Sequence, residues 1–300
     1  MTVAGYYSDQ AKSRIDPAAL ARQRAQTRVL RQFLDHVAKA SDRAVIGPRR
    51  LRMHQANCAL RWLRAWAVGN AYLGRMATRQ AEAQQRWDLA GLALAYFKVR
   101  HLAADADRRR IAPWLTAVAD RAAAIFIDRG RVRNNHWYWL GLALGAVGHA
   151  TDNEQHWRQA RRIMHDAAAD VTSHGVLPLE LRRGRRALHY HDFALQPLIV
   201  LAELAAVRGE DWYRLGDGAL HRLVDITVAG LNTPRLFDRL AGITQQRPVR
   251  PRAGWLQLYD DRFPVRLPAL RPVAAAYDRR LGGSVRALAA VLRRDRDRLH

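Results

Sequence analysis

Two polar segments place hydrogen-bond donors, imidazoles and a phenol beside long apolar runs. The first is Asn134-Asn135-His136, which opens an apolar stretch directly after a loop. Helix capping alone explains Asn134, since asparagine is a good N-cap, but it requires neither of the next two residues. Donors at a helix N-terminus favour an anion. Asn135 and His136 are therefore candidates for an anion site, and an ordinary helix start is the alternative.

The second polar segment begins with a dense basic turn, RRGRR at 182–186. A run of charges is by default a solvated loop. Here HYHD at 189–192 follows almost directly and leads into an apolar helix. Arginines beside a phenol lower its pKa, so the pKa of Tyr190 is predicted to fall toward working pH. Three ionisable side-chain types in consecutive positions favour a chemical site over a plain surface loop.

The sequence offers little support for several other chemistries. It contains no paired-carboxylate signature, no CxxC, no HExxH and no glycine loop that would cradle a phosphate. Glycosidase and metalloenzyme functions are therefore not favoured, and we predict neither a metal ion nor a cofactor. Cys58, the only cysteine, lies in the apolar run ANCALRWL and is predicted to be a small core residue.

The formal charge of +23 is carried almost entirely by arginine. Such an excess predicts a polyanionic partner, which could be nucleic acid, an anionic membrane surface or an acidic polysaccharide. One alternative is a non-catalytic helical protein that binds nucleic acid or acidic polysaccharide. It accounts for the charge, but not for the pairing of NNH with HYH. Another is an inverting glycoside hydrolase, which needs two groove carboxylates, and no such pair stands out.

The elements that must position these residues are predicted to be helices. Apolar residues recur at spacings of three and four, as in ALRWLRAWAVGNAYL from Ala59, so the fold class is all-α. Asp16-Pro17 predicts the start of a helix that runs to about residue 40. The prolines after Pro234 predict a loop-rich region around GWLQLYDDRF. Helices of about 20 residues with short links predict antiparallel hairpins, arranged as an open solenoid or a closed α/α toroid.

Neither a membrane span nor a signal peptide is predicted. No segment reaches 18 apolar residues without a charge. The first residues, MTVAGYYSDQ, lack a basic region followed by an apolar one. This predicts either a cytoplasmic protein or a mature form. Residues 5–16, GYYSDQAKSRID, are polar and aromatic, and they form either a fraying end or a flap over a groove.

The two polar segments together resemble the polysaccharide lyase family 5 alginate lyases. NNHWYW at 134–139 and LPLELRRGRRALHYHDFALQPL from 177 carry the resemblance. It extends more weakly to the Tyr-rich N-terminus, CALRWLRAWA at 58–67, GWLQLY at 254–259 and RLGG at 280–283. The resemblance implies a single domain over 1–300, an incomplete α/α toroid of antiparallel helical hairpins with a groove for an anionic sugar chain. The implied reaction is β-elimination, which leaves a 4,5-unsaturated uronate.

The resemblance also implies the catalytic roles. Removing the C5 proton of a uronate builds a dianionic, enolate-like state, so donors must first neutralise the adjacent carboxylate. That role falls to Asn135, His136 and Arg183. Tyr190 is expected to take the proton and return it to the leaving oxygen when both lie on one face of the sugar. For the epimeric sugars, His136 becomes the expected base.

Further residues are expected to contact the substrate. Residues 5–16 resemble the mobile lid of the family, and Trp139 is expected to stack on a sugar ring, with a core position as the alternative. The expected contacts are Tyr7, Lys12, Arg14, Trp139, Arg186, His189 and Arg280. The implied partner is an anionic polysaccharide rather than nucleic acid or a membrane. We expect a monomer that acts in the periplasm or outside the cell, since members of the family act there.

Four positions depart from the family pattern. Trp137 stands where serine is usual, Leu179 and Asp192 where asparagine is common, and His189 where a small residue is common. We therefore hypothesise that substrates extend beyond alginate and poly-mannuronate to other β-1,4-linked uronates, such as polyglucuronate or hyaluronan.

Overall fold

The chain folds almost entirely into helices. The computed structural model describes residues 1–128, 130, 132–246, 253–264, 266 and 276–298. Within these residues the α-helices are α1 Pro17–Gln26, α2 Arg28–Ile46, α3 Arg52–Val68, α4 Arg79–Val99, α5 Asp105–Asp128, α6 Asn135–Ala150, α7 Glu154–Asp170, α8 Pro178–Leu181, α9 Ala187–Ala206, α10 Leu215–Asn232, α11 Arg235–Ala241, α12 Ala253–Arg262 and α13 Val285–Arg296.

Two short strands, β1 (Tyr277–Asp278) and β2 (Gly283–Ser284), pair antiparallel around a 3₁₀ turn at Arg279–Leu281. The residues of α10 at 216–218 have non-helical backbone angles, so the regular helix starts after them. In this part of the chain no helix is both long and apolar enough to cross a membrane.

Consecutive helices pair and the pairs follow one another around a ring. The pairs in contact are α2–α3, α4–α5, α6–α7, α9–α10 and α12–α13. Along the inner side α2 contacts α4, α4 contacts α6, and α6 contacts α9. The last helix, α13, contacts α2, α4 and α9, and so closes the ring. The prediction of an all-α fold built from helical hairpins is confirmed.

The inner helices differ from the outer ones in burial. Buried residues cover the whole circumference of α4, α6 and α9, as expected for helices surrounded by protein. By contrast, α2 and α7 bury one face only. Glycine allows α6 to pack tightly, because a Cβ at Gly145 would lie 2.3 Å from Leu201 on α9. This packing fixes α6, and with it the Asn135 and His136 side chains at its N-terminus.

Two predicted elements were wrong. The helix expected from Pro17 to about residue 40 is interrupted at Thr27, whose hydroxyl donates to the Gln23 carbonyl oxygen at 2.9 Å. Such a bond back to the preceding turn distorts a helix. The region around GWLQLYDDRF contains α12, in which Trp255 and Tyr259 are buried one turn apart. The neighbouring prolines Pro248, Pro251, Pro268 and Pro272 lie outside the described residues.

Candidate active site

A groove of about 600 Å³ lies at the ends of the inner helices. Its walls come from the N-terminal halves of α4 and α9, the N-terminus of α6, the N-terminal segment and the turn between β1 and β2. Asn135, His136, Arg183 and Tyr190 all line it. The structure therefore brings together the four side chains that the sequence singled out as catalytic candidates.

A buried carboxylate joins two of these side chains. Glu180, which is 0 % exposed, accepts hydrogen bonds from the backbone N–H of Asn135 at 2.5 Å and from its Nδ2 at 2.9 Å. Its other oxygen accepts from Arg183 Nε at 3.3 Å. Burial raises the pKa of Glu180, and the charge of Arg183 and the Asn135 hydrogen bonds oppose that shift. Glu180 therefore holds Asn135 and Arg183 in one fixed arrangement.

The start of α6 is capped as predicted, but its first side chains do not all point outward. Asn134 Oδ1 accepts from the backbone N–H of His136 at 2.9 Å. Asn135 is 0 % exposed and turns toward Glu180, while its Oδ1 has no hydrogen-bond partner. Sequence reasoning missed Glu180. The available signal was an acidic residue in the apolar turn LPLEL, just before the arginines.

The His136 imidazole is neutral in this site. Its ring stacks on Trp87 at a centroid distance of 5.9 Å, and its buried Nδ1 has no partner. Burial, together with the positive charges of Arg86 and Arg183, lowers the pKa of His136 to about 3. A neutral imidazole can donate one hydrogen bond and accept a proton.

Tyr190 lies among cations and a second phenol. Its hydroxyl is hydrogen-bonded to the Tyr7 hydroxyl at 3.0 Å, and Arg186 Nη1 donates to Tyr7 Oη at 2.6 Å. The guanidinium carbons of Arg183 and Arg186 lie 4.8 and 5.5 Å from the centre of the Tyr190 ring. Burial nevertheless raises the pKa of Tyr190 to about 12, although Tyr7 and Arg183 oppose the shift. The prediction of a lowered pKa was wrong for this unliganded arrangement, because burial outweighs the cations.

The N-terminal segment borders the groove through one of its edges. Tyr7 pairs with Ile15 in a single β-bridge, and the Asp9 carboxylate accepts from the backbone N–H groups of Ser13 and Arg14. Tyr7 and Lys12 line the groove. Arg14 is exposed on the outer side of the segment and does not line the groove, so its predicted substrate contact is not reproduced here.

Arg280 reaches the groove from the far end of the chain. Its guanidinium lies 5.0 Å from the centre of the Trp87 ring and 5.6 Å from that of Phe193. The turn that carries it rests directly on α4, since a Cβ on Gly91 would lie 2.1 Å from the Arg279 carbonyl oxygen. The buried Lys98 ammonium donates to the Gly282 carbonyl oxygen at 2.5 Å and holds the turn there.

Two predicted substrate contacts lie elsewhere. Trp139 is 0 % exposed and packs against Phe193 in the core, so stacking on a sugar was wrong and the core alternative is right. Arg186 is buried and does not line the groove, but it supports Tyr7 through the hydrogen bond described above. The remaining predicted contact, His189, lines the groove.

Three of the four positions that depart from the family pattern do not line the groove. Trp137 donates from Nε1 to Asp166, and Asp192 accepts from Trp255 Nε1 in the core. Leu179 is half-buried on α8 and is also absent from the groove walls. Only His189 is placed where it would meet a substrate directly.

The groove brings together several buried polar atoms that have no hydrogen-bond partner among the described residues. In native proteins nearly all buried polar atoms are hydrogen-bonded, so such a group indicates a site for a polar ligand. The side chains concerned in the groove are Gln80, Arg86, Trp87, Asn135 and His136. Sequence reasoning missed the three on α4, and for Arg86 and Trp87 the available signal was the polar run QQRWD at 84–88.

Metal-binding groups are not clustered in this way. Among the residues described, no three His, Cys, Asp or Glu side chains converge to hold a metal ion. That metal and cofactor play no part stays a prediction.

Comparison with solved structures supports the fold. Alginate lyase A1-III from Sphingomonas species A1 superimposes with a TM-score of 0.80 over 96 % of this chain and 83 % of that chain, at 23 % identity. A histidine-to-alanine variant of alginate lyase A1-III complexed with a tetrasaccharide gives a TM-score of 0.83 over 96 % of this chain and 82 % of that chain. The prediction of a helical toroid is confirmed by this likeness.

Comparison of sequences defines the family. A polysaccharide lyase of Stenotrophomonas maltophilia is 39 % identical over 263 residues, covering 87 % of this chain and 78 % of the relative. An alginate lyase of Azotobacter vinelandii is 33 % identical over 293 residues, covering 93 % and 77 %. The sequence profile of the alginate lyase family matches residues 1–237, which include both polar segments of the groove. With the same segments matched and the same ring of helices around them, this chain belongs to the alginate lyase family.

Proposed function

We propose that this protein is a polysaccharide lyase that cleaves alginate and related β-1,4-linked polyuronates by β-elimination, giving 4,5-unsaturated ends. One observation carries the proposal. Asn135 and Arg183, which are both bonded to the buried Glu180 carboxylate, line the same groove as the Tyr190 phenol in a strongly basic protein. Its relatives are named alginate lyase and polysaccharide lyase, and a solved structure of alginate lyase A1-III contains a tetrasaccharide. A non-catalytic binding protein is not favoured.

The first step is neutralisation of the uronate carboxylate. The free N–H groups of Arg183 and the second N–H of Asn135 Nδ2 are the donors for it, with the neutral His136 as a further one. Donors fixed in advance stabilise the charge that develops as the C5 proton leaves. Because Glu180 already orients Asn135 and Arg183, little reorganisation is needed at that moment.

The second step is the elimination itself. The C5–H and C4–O4 bonds break, a C4=C5 double bond forms, and O4 leaves as a hydroxyl after gaining a proton. In a mannuronate the C5 proton and O4 lie on one face, so Tyr190, reacting as the phenolate, takes the proton from C5 and passes it to O4. Arg183 and Arg186 beside the ring stabilise negative charge on the phenol oxygen while it exists.

His136 supplies the base for uronates whose C5 proton lies on the opposite face. A pKa of about 3 keeps the imidazole unprotonated at neutral pH but makes it a weak base, and the carboxylate of a bound substrate would raise that pKa and strengthen the base. Glucuronate differs from mannuronate at C2 and presents its C5 proton on the same face as mannuronate, so Tyr190 could also serve polyglucuronate or hyaluronan, and His189 is the departure from the family pattern that faces the groove. A monomer that acts in the periplasm or outside the cell is part of the proposal.

The test is the absorbance of the unsaturated product. We expect purified protein to generate the ultraviolet band of the 4,5-double bond with poly-mannuronate. Tyr190→Phe should lower kcat by about 10²- to 10⁴-fold, because the phenol moves the proton. Tyr96→Phe removes a hydroxyl from a buried tyrosine outside the groove and should leave kcat unchanged. If no uronate polymer gave the band and DNA bound tightly with strong salt dependence, the binding-protein alternative would replace this proposal.

A further inference from the structure

We propose that Arg86 binds a second carboxylate of the polyuronate, that of a sugar next to the one being cleaved. The inference rests on the proposed function, since it assigns a further subsite in the same groove. Arg86 lies on α4 and lines the groove near the N-terminus of α6. It was not among the residues selected from the sequence.

The Arg86 side chain is buried in the wall of the groove. The residue is 4 % exposed, and its Nε atom is shielded from solvent with no hydrogen-bond partner. Within the described part of the chain, no hydrogen bond or ion pair reaches its guanidinium, although Glu82 lies near enough to act on its charge. Buried charges in folded proteins are normally paired, because an isolated one is costly. An anionic ligand would supply the missing partner.

The face of the Arg86 guanidinium lies against an aromatic ring. Its guanidinium carbon lies 5.0 Å from the centre of the Phe126 ring, and Phe126 also lines the groove. Such a contact uses the face of the guanidinium, whereas all five N–H groups lie in its plane. A carboxylate that approaches along the groove can therefore form a two-pronged pair with an edge while the aromatic contact persists.

Arg86 lies beside the Asn135–Glu180–Arg183 cluster but is not part of it. Arg183 is already hydrogen-bonded to Glu180, and Arg280 lies over Trp87 toward the N-terminal segment. Arg86 is close enough to His136 to lower its pKa. A polymer with one carboxylate on every sugar would thus meet Arg86 on a sugar adjacent to the one held by Arg183. Burial lowers the pKa of Arg86 to about 10, so the guanidinium is charged at neutral pH.

Calorimetry with two ligands tests the proposal. In the Tyr190→Phe background, Arg86→Met should raise the Kd for tetramannuronate about tenfold, as loss of one charged pair would. Arg86→Lys should recover part of this, because the charge returns without the planar fork. Arg110→Met removes an equal charge from an exposed position on α5, and should leave the Kd unchanged. The fully methyl-esterified tetrasaccharide should bind the parent and the Arg86→Met variant with equal, weak affinity.

Kinetics separates this role from an effect on His136 alone. With Tyr190 intact, Arg86→Met should raise KM for poly-mannuronate about tenfold and leave kcat and its pH profile nearly unchanged. A shifted pH profile with constant KM, or equal weakening for the acid and the ester, would overturn the proposal. If Arg86→Met did not fold, Arg86→Gln carries the same expectation. Absence of unsaturated product from the unsubstituted enzyme would instead refute the proposed function, and calorimetry on that enzyme would still decide for Arg86.

Discussion

At the scale of single residues, a buried carboxylate is bonded to two side chains of the groove in which a carboxylate substrate is expected to bind. Glu180 is fully buried and accepts from the Asn135 backbone N–H, from one N–H of the Asn135 side-chain amide and from Arg183 Nε. The other donors of both side chains are left for a ligand. Glu180 therefore orients Asn135 and Arg183 and leaves room for a substrate carboxylate. Its negative charge balances only part of the attraction of Arg183 for that carboxylate.

Glu180→Gln is expected to lower kcat more than it changes KM. Glutamine can keep an oxygen toward Asn135 only by turning its NH₂ group toward Arg183 Nε, which is also a donor. One buried donor is left unsatisfied, so kcat should fall about 10- to 100-fold. Steady-state kinetics on poly-mannuronate measures the change.

Glu203→Gln is the matched control for that variant. Glu203 is also buried and accepts from the Tyr213 hydroxyl at 2.9 Å, but it lies outside the groove. It should change stability without changing kcat. Normal turnover in Glu180→Gln would show that Asn135 and Arg183 need no such support.

Residue types predicted the centre of the site better than its surroundings. The clustering of polar side chains indicated the two segments that carry Asn135, His136, Arg183 and Tyr190, and the resemblance to the alginate lyases assigned their roles. The direction of the Tyr190 pKa was wrong because burial depends on which helices cover the ring. Arg86 was missed because its lack of a partner is visible only in three dimensions.

At the scale of elements, the short turn between β1 and β2 is set by close contact with α4. Gly91 on α4 lies against the Arg279 carbonyl oxygen, and Gly282 in the turn adopts a left-handed φ of 75° against Leu94. The ends of the turn are tied further, because the Asp42 carboxylate accepts from the Ser284 N–H at 2.8 Å. The position of the Arg280 guanidinium over Trp87 follows from this contact between two backbones.

Gly91→Ala is expected to raise KM for poly-mannuronate several-fold. The added methyl would lie 2.1 Å from a carbonyl oxygen, so the turn must move and take Arg280 away from Trp87. Since Asn135 and Tyr190 are on other helices, kcat at saturation should change little. Gly74→Ala, with no atom within 4 Å of the new methyl, is the control. A crystal structure of Gly91→Ala with Arg280 unmoved would contradict the account.

Element boundaries were predictable where local signals set them. Asp16 and Asn134 each begin a helix by capping it, which the sequence shows directly. The interruption at Thr27 and the existence of α12 depend on packing. The prolines on either side of α12 favoured the prediction of a loop, although Trp255 and Tyr259 are buried there. The ring closure by α13 likewise has no local signature, because it depends on contacts with helices far away in sequence.

At the scale of the whole molecule, the formal charge of +23 surrounds a groove with several cations. A field of this sign attracts a polyanion over distances comparable to the Debye length. Chemistry at Tyr190 occurs at short range inside the groove, where screening by salt is weaker. Salt should therefore act on capture of the polymer and spare the bond-breaking step.

We expect KM for poly-mannuronate to rise several-fold between about 0.05 and about 0.5 M NaCl, with kcat nearly constant. The effect should be larger for the polymer than for the tetrasaccharide, which carries fewer charges. Initial rates of double-bond formation at each salt concentration measure both constants. A KM independent of salt would show that the excess of arginine plays no part in capturing substrate.

The tie between Lys98 and the Gly282 carbonyl oxygen has a consequence for the order of assembly. It links two residues 184 positions apart, and the same ammonium donates to Asp42 on α2 at 2.5 Å. Arg280 is thus held against helices that leave the ribosome long before it does. During synthesis, the residues expected to transfer the proton are therefore made while the turn that carries Arg280, one wall of the groove, is still missing. We therefore expect catalytic competence to arrive last, when the C-terminal turn docks onto a ring already largely formed.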